Sequence, residues 1–305
     1  MERKWPSCVF ASKQDLIGLK KKANAFKLKK SKLPSLTGTG EQFSPFKTKG
    51  LDFQEVRIYQ PGDDIRLIDW RITAKHNKPY TKLFTDEKEK QVFIILDIRQ
   101  SMKFATQGEF KSVVSAKTAA LLSFLAINNN DKFGFTLLSD EKIECAYSGS
   151  NNETLVSFFE KIIENGSPLA QQESKTTLHQ ALLKSEKLIR KGALVFILSD
   201  FSDFDDESKI ILNRLSKKSG CSLFHIYDKI EKEFPKNTLP VTDGNSILFL
   251  NGNQKSFQKK YQNIFQEKTN TLLELTINPN IGYLPLSTEE DYLLKIASFC
   301  KGGLL

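Results

Sequence analysis

Residues 92–102 decide the fold of this chain, and they read Val-Phe-Ile-Ile-Leu-Asp-Ile-Arg-Gln-Ser-Met. The first five are apolar without interruption, which is typical of a strand that is buried on both faces of a parallel sheet. This strand ends on Asp97. Because open α/β sheets bind their ligands beyond the carboxyl ends of their strands, the sequence places Asp97 where a functional site is expected.

Helical and strand-like segments alternate from Gln91 to the end of the chain. A second uninterrupted apolar run covers residues 193–198 and is followed by Ser199 and Asp200, and residues 110–128 predict a central helix between the two runs. This alternation predicts an open, mostly parallel sheet with helices on both faces. We expect this α/β domain at residues 88–305. Residues 1–87 are expected to form a basic, irregular extension with a charged segment packed on the domain.

The composition is typical of a folded protein in a reducing compartment. Hydrophobic residues make up 39% of the 305, and no apolar run approaches the roughly 18 residues that span a bilayer. The four cysteines lie far apart in sequence, so neither a zinc site nor a disulfide framework is expected. The net charge of +9 predicts attraction to an acidic partner or surface.

Part of this charge is concentrated near the N-terminus. Seven of the thirteen residues from Lys20 to Lys32 are lysines. Asp15 is placed to cap a helix that enters this run. The apolar residues of that helix follow helical spacing: Leu16, Leu19, Ala23 and Phe26. The segment either lies on an anionic membrane or a partner, or is a solvated helix face packed on its own domain.

Several oxygen-bearing residues are expected at the same sheet edge as Asp97: Ser101, Thr176 and Asp200. Carboxylate and hydroxyl oxygens are the ligands that Mg²⁺ or Mn²⁺ prefers. Asp97 and Ser101 form most of the Asp-x-Ser-x-Ser loop with which von Willebrand factor A domains hold a divalent cation. Arg99 occupies the position of the middle serine.

Arg99 changes what this edge is expected to do, because a guanidinium has five donors and a charge that it cannot lose. We expect it to repel a divalent ion and to pair with Asp97 and Asp200, which gives a metal-free site. Alternatively, Arg99 points into solvent and leaves a weakened site for Mg²⁺ or Mn²⁺. In the metal-free case, Arg99 is a candidate for direct contact with an acidic side chain of a partner.

The segment from residue 51 to residue 90 interleaves charges with aromatic residues. Pro61 and Gly62 predict a turn that requires a positive φ at its third position. The carboxylates and guanidiniums that follow within nine residues are Asp63, Asp64, Asp69, Arg66 and Arg71. We favour an ion-pair network that holds this segment on the domain. Carboxylates that are paired with arginines leave little net negative charge to attract a cation. The alternative is a metal-binding cluster of carboxylates.

These residues carry a resemblance. Residues 51–70 read Leu-Asp-Phe-Gln-Glu-Val-Arg-Ile-Tyr-Gln-Pro-Gly-Asp-Asp-Ile-Arg-Leu-Ile-Asp-Trp, which resembles the signature of the bacterial domain-of-unknown-function family fifty-eight. The most specific part comprises Gly62, Asp63, Asp64, Arg66, Asp69 and Trp70. Later matching residues include Asp97, Ser101, Lys111 and Asp200, and the resemblance runs from about Leu33 to Cys300. It implies a von Willebrand A-like core, no catalytic activity, and association with ring-forming AAA+ ATPases of the MoxR type.

The resemblance therefore implies a non-enzymatic adaptor that works with a MoxR-type AAA+ ATPase. Its docking surface would be the degenerate cation edge of Asp97, Arg99, Ser101, Thr176 and Asp200. One alternative is a metal-dependent phosphoesterase or nuclease that uses Asp63, Asp64 and Asp69. Another is a peripheral membrane or nucleic-acid binder that uses Lys20 to Lys32, although no motif predicts sequence-specific nucleic-acid recognition. We expect a cytoplasmic location, with peripheral association with the inner membrane as the alternative.

Overall fold

The computed structural model describes residues 6–25, 51–76, 78–86, 90–147, 151–167, 174–242 and 247–300. The chain divides into two units, of which the smaller is Thr37–Glu89 and the larger combines Met1–Leu36 with Lys90–Leu305. This division differs from the predicted one, because the opening segment groups with the α/β unit. Each unit is described by itself.

The elements are numbered in chain order. The helices are α1 (Lys13–Ala25), α2 (Trp70–His76), α3 (Lys111–Asn128), α4 (Asn151–Asn165), α5 (Leu178–Glu186), α6 (Asp206–Ser216), α7 (Lys229–Lys232), α8 (Lys255–Glu274) and α9 (Tyr292–Cys300). The strands are β1 (Leu51–Ile58), β2 (Tyr80–Asp86), β3 (Gln91–Asp97), β4 (Lys132–Leu138), β5 (Ile143–Tyr147), β6 (Leu194–Ser199), β7 (Gly220–Tyr227), β8 (Thr238–Thr242), β9 (Ile247–Asn251) and β10 (Ile281–Ser287).

The central sheet of the larger unit has the strand order β10-β7-β6-β3-β4-β5. All neighbouring strands are parallel except β5, which runs antiparallel to β4. In chain order, β3 forms the middle of the sheet, β4 and β5 are added on one side, and β6, β7 and β10 on the other. This is the doubly wound arrangement. The predicted fold class, an open and mostly parallel α/β sheet, is confirmed by this order.

The sheet is covered on both faces, and the apolar side chains of its central strands are shared between two cores. In β3, Ile94 and Leu96 face one core, and Phe93 and Ile95 face the other. The first core is closed by α1, α3, α4 and α9, and the second by α5, α6 and α8. Nearly all side chains of α3 are buried, as its composition predicted. No helix of the described residues is long and apolar enough to cross a bilayer.

Two hairpins were not predicted. Strands β1 and β2 pair antiparallel, with a register shift between Phe53 and Glu55, and this irregularity breaks the alternation by which a strand is recognised in sequence. Strand β8 pairs with β9 and contains Pro240. Proline argues against a central strand, but the outer strand of a two-stranded hairpin accepts it.

Candidate functional site at the carboxyl edge of the sheet

The Arg99 side chain is buried just beyond the end of β3. Its guanidinium makes two hydrogen bonds to Asp97, from Nε to Oδ1 (3.0 Å) and from Nη2 to Oδ2 (2.8 Å). Two more go to Asp203, from Nη1 to Oδ2 (2.6 Å) and from Nη2 to Oδ1 (2.7 Å), and Nη1 also donates to the Thr176 carbonyl oxygen (3.1 Å). All five guanidinium N–H groups therefore have an acceptor.

The two carboxylates around Arg99 are satisfied from other directions as well. Asp97 also accepts from the Ser199 hydroxyl (2.7 Å) and from the Arg99 backbone N–H (3.0 Å), and Asp203 accepts from the Leu178 N–H (3.0 Å). Burial alone would raise the pKa of Asp203, but the hydrogen bonds from Arg99 and Leu178 outweigh it and lower that pKa. Burial would lower the pKa of Arg99, yet the hydrogen bonds and charges of the two carboxylates raise it. The geometry thus favours a charged guanidinium.

Asp200 is not a partner of Arg99, contrary to the prediction. Its Oδ2 lies 2.9 Å from Nζ of Lys111, which also reaches Oε1 of Glu231 at 2.5 Å. Burial would raise the pKa of Asp200, but the charge and hydrogen bond of Lys111 lower it. The second carboxylate of Arg99 is instead Asp203, three residues further along the loop. Arg99 and Lys111 are therefore buried basic groups with separate acidic partners.

The ion pairs of Arg99 and Lys111 belong to a larger set of contacts at the carboxyl edge. A carboxylate ends or follows each of four parallel strands, and each accepts a hydrogen bond from the segment 99–111, which runs from the end of β3 to the first residue of α3. The pairs are Asp97 with Arg99, Asp140 with Lys103 (3.4 Å), Asp200 with Lys111 (2.9 Å), and Asp228 with the Thr106 hydroxyl (2.6 Å) and N–H (2.8 Å). These contacts hold residues 99–111 against the carboxyl edge of the sheet. The sequence analysis missed these partners, although the acids after successive strands and the basic residues of one loop were visible.

The predicted oxygen ligands do not fit a divalent cation in this arrangement. The Thr176 hydroxyl donates to the Ser139 carbonyl oxygen (2.5 Å), and the Ser101 side chain is exposed. Both carboxylate oxygens of Asp97 are engaged by Arg99. In the described ranges, no group of three or more His, Cys, Asp or Glu residues is arranged to hold a metal ion. The positive charge at this edge is therefore supplied by the chain itself.

The burial of these residues changes the predicted docking surface. Asp97, Arg99, Thr176 and Asp200 are buried, and only Ser101 is exposed. Because all five donors of Arg99 are already used, direct contact between Arg99 and an acidic partner side chain does not agree with the structure. Sequence reasoning assigned the residues to the correct edge, but it did not reveal which of them reach the surface.

In the smaller unit, the acids of the signature cap turns. Asp63 pairs with Arg57 (2.6 Å), which lies outside the nine-residue string. Asp64 accepts from the N–H of Arg66 (2.9 Å) and caps a 3₁₀ turn, and Asp69 accepts from the N–H of Arg71 (3.0 Å) at the start of α2. The predicted pairing of these arginine side chains with the three acids is therefore not found.

The exposed residues of the signature include a guanidinium and an aromatic ring. Gly62 has a φ of 108°, so the predicted turn is confirmed, and the Asp63 N–H closes it on the Gln60 carbonyl oxygen (3.0 Å). Arg66 and Trp70 are exposed. Neither Arg66 nor Arg71 forms an ion pair with a residue in the described part of the chain. The signature thus has a structural role in its turns and leaves two guanidiniums in solvent.

The basic N-terminal segment begins with a packed helix. Ser12, rather than the predicted Asp15, is at the N-terminus of α1, and their side chains bond reciprocally to each other's backbone N–H. The buried apolar residues are Leu16, Leu19 and Ala23, which join the core beside α3. The exposed lysines are Lys20, Lys21 and Lys22. Phe26 and the lysines that follow lie outside the described residues.

Three comparisons place this geometry among known proteins. The model of the family "Protein of unknown function DUF58" matches residues 55–271. Uncharacterized protein Rv1480 of Mycobacterium tuberculosis is 31% identical over 80 residues, which are 26% of this chain and 25% of that protein. Uncharacterized protein YeaD of Bacillus subtilis is 32% identical over 87 residues, 28% of this chain and 20% of that protein. The match thus covers a quarter or less of these curated relatives.

A solved structure is also similar. The VWA domain of SpRpn10 aligns with a TM-score of 0.42 and 10% sequence identity, over 72% of this chain and 100% of that one.

Proposed function

The chain belongs to the DUF58 family of proteins of unknown function, and we propose that it is a non-enzymatic protein-interaction module with a built-in cation at its carboxyl edge. Arg99 takes the place that a metal ion has in an intact Asp-x-Ser-x-Ser site. The observation that carries this proposal is the saturation of all five guanidinium donors by Asp97, Asp203 and the Thr176 carbonyl oxygen. The location proposed for the module is the cytoplasm.

The energetics of the edge favour Arg99 over a divalent ion. A contact between unit charges about 4 Å apart contributes about 4 kcal/mol at an effective dielectric constant near 20, before desolvation. Arg99 makes two paired contacts of this kind, both with the two parallel hydrogen bonds that suit its planar fork. A cation would have to displace both pairs and leave a buried guanidinium without partners, which is costly.

The proposed docking surface consists of the exposed residues around this buried pair. Ser101, Phe104 and Ser202 are exposed, and the Asp203 side chain is 31% exposed. The proposed partner is a MoxR-type AAA+ ATPase, which the family resemblance implies. In this proposal Arg99 positions Asp203 and the adjoining loops, and the partner contacts the loops. Charge reversal at Arg99 would disrupt the edge itself, so it does not test docking.

The first experiment tests the built-in cation. Isothermal titration calorimetry of the chain with Mg²⁺ and Mn²⁺ should give no heat of binding. Arg99→Ser, which restores the missing hydroxyl and removes the positive charge, should bind Mn²⁺ at Asp97. Arg66→Ser, which removes an exposed arginine of the smaller unit, is the matched control and should not bind. Micromolar Mn²⁺ binding by the unaltered chain would refute the proposal.

The second experiment tests docking. A purified MoxR-type ATPase should be retained by the immobilised chain, and both Ser101→Arg and Phe104→Ser should weaken retention. Val156→Ser, at an exposed apolar residue of α4, is the control and should behave as the unaltered chain does. Equal retention by all variants would show that the ATPase does not dock at this edge.

A further partner is proposed for the basic segment. The side chains of Lys20, Lys21 and Lys22 are exposed on α1 while its apolar side is used by the core. Their charge favours contact with an anionic membrane surface, which would be strongly salt-dependent. Binding to anionic vesicles that does not weaken with added salt would contradict this assignment.

A further inference from the structure

The hairpin of β8 and β9 exposes large apolar side chains. Leu248 and Phe249 are 65% and 73% exposed, and Val241 and Ile247 are exposed as well. Within the described residues, the hairpin is a two-stranded sheet of its own and is not part of the central sheet. Exposed apolar residues in a contiguous group mark an interaction surface more often than single ones do.

The apolar residues lie on both faces of this hairpin. Leu248 pairs with Val241, and Phe249 pairs with Pro240. Opposite residues share a face, and successive residues alternate between faces. Leu248 and Val241 are therefore exposed on one face, and Phe249 and Pro240 on the other. A protein that docked on one face would leave the other face in water, whereas an apolar medium covers both.

The base of the hairpin is fixed and basic. Nε2 of Gln258, in the second turn of α8, donates to the carbonyl oxygens of Phe234 (2.7 Å) and Gly252 (2.8 Å), on the two sides of the base. The lysines of this region are Lys236, Lys255 and Lys259, all exposed. None of these three lysines forms an ion pair among the residues that the structure describes. The exposed apolar residues of the two strands are thus flanked by exposed lysines.

We infer that the β8–β9 hairpin inserts into the surface of an anionic lipid bilayer. Leu248 and Phe249 enter the boundary between headgroups and acyl chains, and the lysines at the base contact lipid phosphates. In binding of this kind, the buried apolar area and the attraction of lysines to anionic lipids both contribute to the free energy of binding. The hairpin uses none of the carboxyl-edge residues, so this inference does not depend on the proposed function.

The test is co-sedimentation of the full chain with phosphatidylcholine vesicles, with and without phosphatidylglycerol. The unaltered chain should partition onto the vesicles that contain phosphatidylglycerol. Combining Leu248→Ser with Phe249→Ser should lower that partition coefficient by at least about tenfold, because two large apolar groups no longer enter the bilayer. Ile210→Ser, at an exposed apolar residue of α6, is the matched control and should leave the partition unchanged.

A second measurement reports insertion directly. In Phe249→Trp, tryptophan emission should shift to the blue on addition of the anionic vesicles and should be quenched by brominated lipid. No binding of the unaltered chain to anionic vesicles would overturn the inference. A partition coefficient that is unchanged in the double serine variant would overturn it too, and would assign the membrane contact to the segment from Lys20. A hairpin protected by a bound protein, with no tryptophan shift on vesicles, would identify a protein interface instead.

Discussion

Replacing Arg99 by methionine tests the central ion pair most directly. The variant keeps much of the side-chain volume but removes the charge and all five donors. Asp97 then retains only the Ser199 hydroxyl and one backbone N–H as donors. Because the carboxylate is buried, it cannot recover the lost bonds from water. Removing one partner of a buried pair lowers the free energy of unfolding by about 3 to 5 kcal/mol, and we expect a loss of this size at pH 7.

The pH dependence of this loss identifies its cause. Burial raises the pKa of Asp97, and the hydrogen bonds and charge of Arg99 oppose that rise. Without Arg99 the folded-state pKa should lie well above the unfolded value of about 3.9. A raised carboxyl pKa means that protonation favours the folded state, so the deficit should shrink as the pH falls from 7 toward 5.

Urea denaturation of three proteins provides the assay: the unaltered chain, Arg99→Met, and Arg99→Met combined with Asp97→Asn. Neutralising the orphaned carboxylate should recover most of the loss, since the buried charge is its source. Two results would refute the reasoning. One is a loss below about 1 kcal/mol at pH 7, which is the range of an exposed pair. The other is a double variant no more stable than the single one.

Three further predictions follow from other buried groups. Lys111→Met leaves Asp200 buried without its cation and should lower the free energy of unfolding at pH 7 by about 3 kcal/mol in urea denaturation; a loss no larger than that of an exposed lysine would contradict the pairing. His225 is buried and its pKa is lowered to about 3, below the unfolded value of about 6.5, so the chain should lose about 2 to 3 kcal/mol between pH 7 and 4.5 through this group. His225→Gln should remove that part of the slope in denaturation at the two pH values, and an unchanged slope would assign it elsewhere. Gly252→Ala places a Cβ against the carbonyl oxygen of Pro235, so the hairpin base must shift, and limited proteolysis should cut β8–β9 faster without cutting the central sheet.

The central sheet could be predicted because its strands are apolar on both faces. Phe93 and Ile94 point into different cores, and only a strand between two helical layers needs that composition. The β1–β2 hairpin could not be predicted in the same way, since the register shift at Phe53 and Glu55 disturbs its alternation. Patterns read along the sequence detect regular burial and are weak where pairing is irregular.

The site was predicted in position but not in its pairing. The rule that ligands lie at strand ends brought Asp97, Thr176 and Asp200 to one edge. The second carboxylate of Arg99 depends on the loop beyond β6, where Phe201 has a left-handed φ of 52°. Sequence spacing does not reveal that bend. The bend decides whether Asp200 or Asp203 contacts the guanidinium. Side-chain pairing depends on loop geometry, which is the part that the sequence pattern leaves open.

The Arg99 guanidinium differs from a metal ion in what it can offer to a docking partner. A metal with an open position attracts a carboxylate from its partner, whereas Arg99 has no donor left to offer. The group it presents to the surface is Asp203, whose lowered pKa keeps it negative. In the proposed interaction the partner should therefore contribute a basic or hydrogen-bond-donating group at this point. Binding of the ATPase should accordingly persist in the presence of EDTA and weaken in Asp203→Lys, and a requirement for divalent ions at this interface would show that the arginine does not replace the metal.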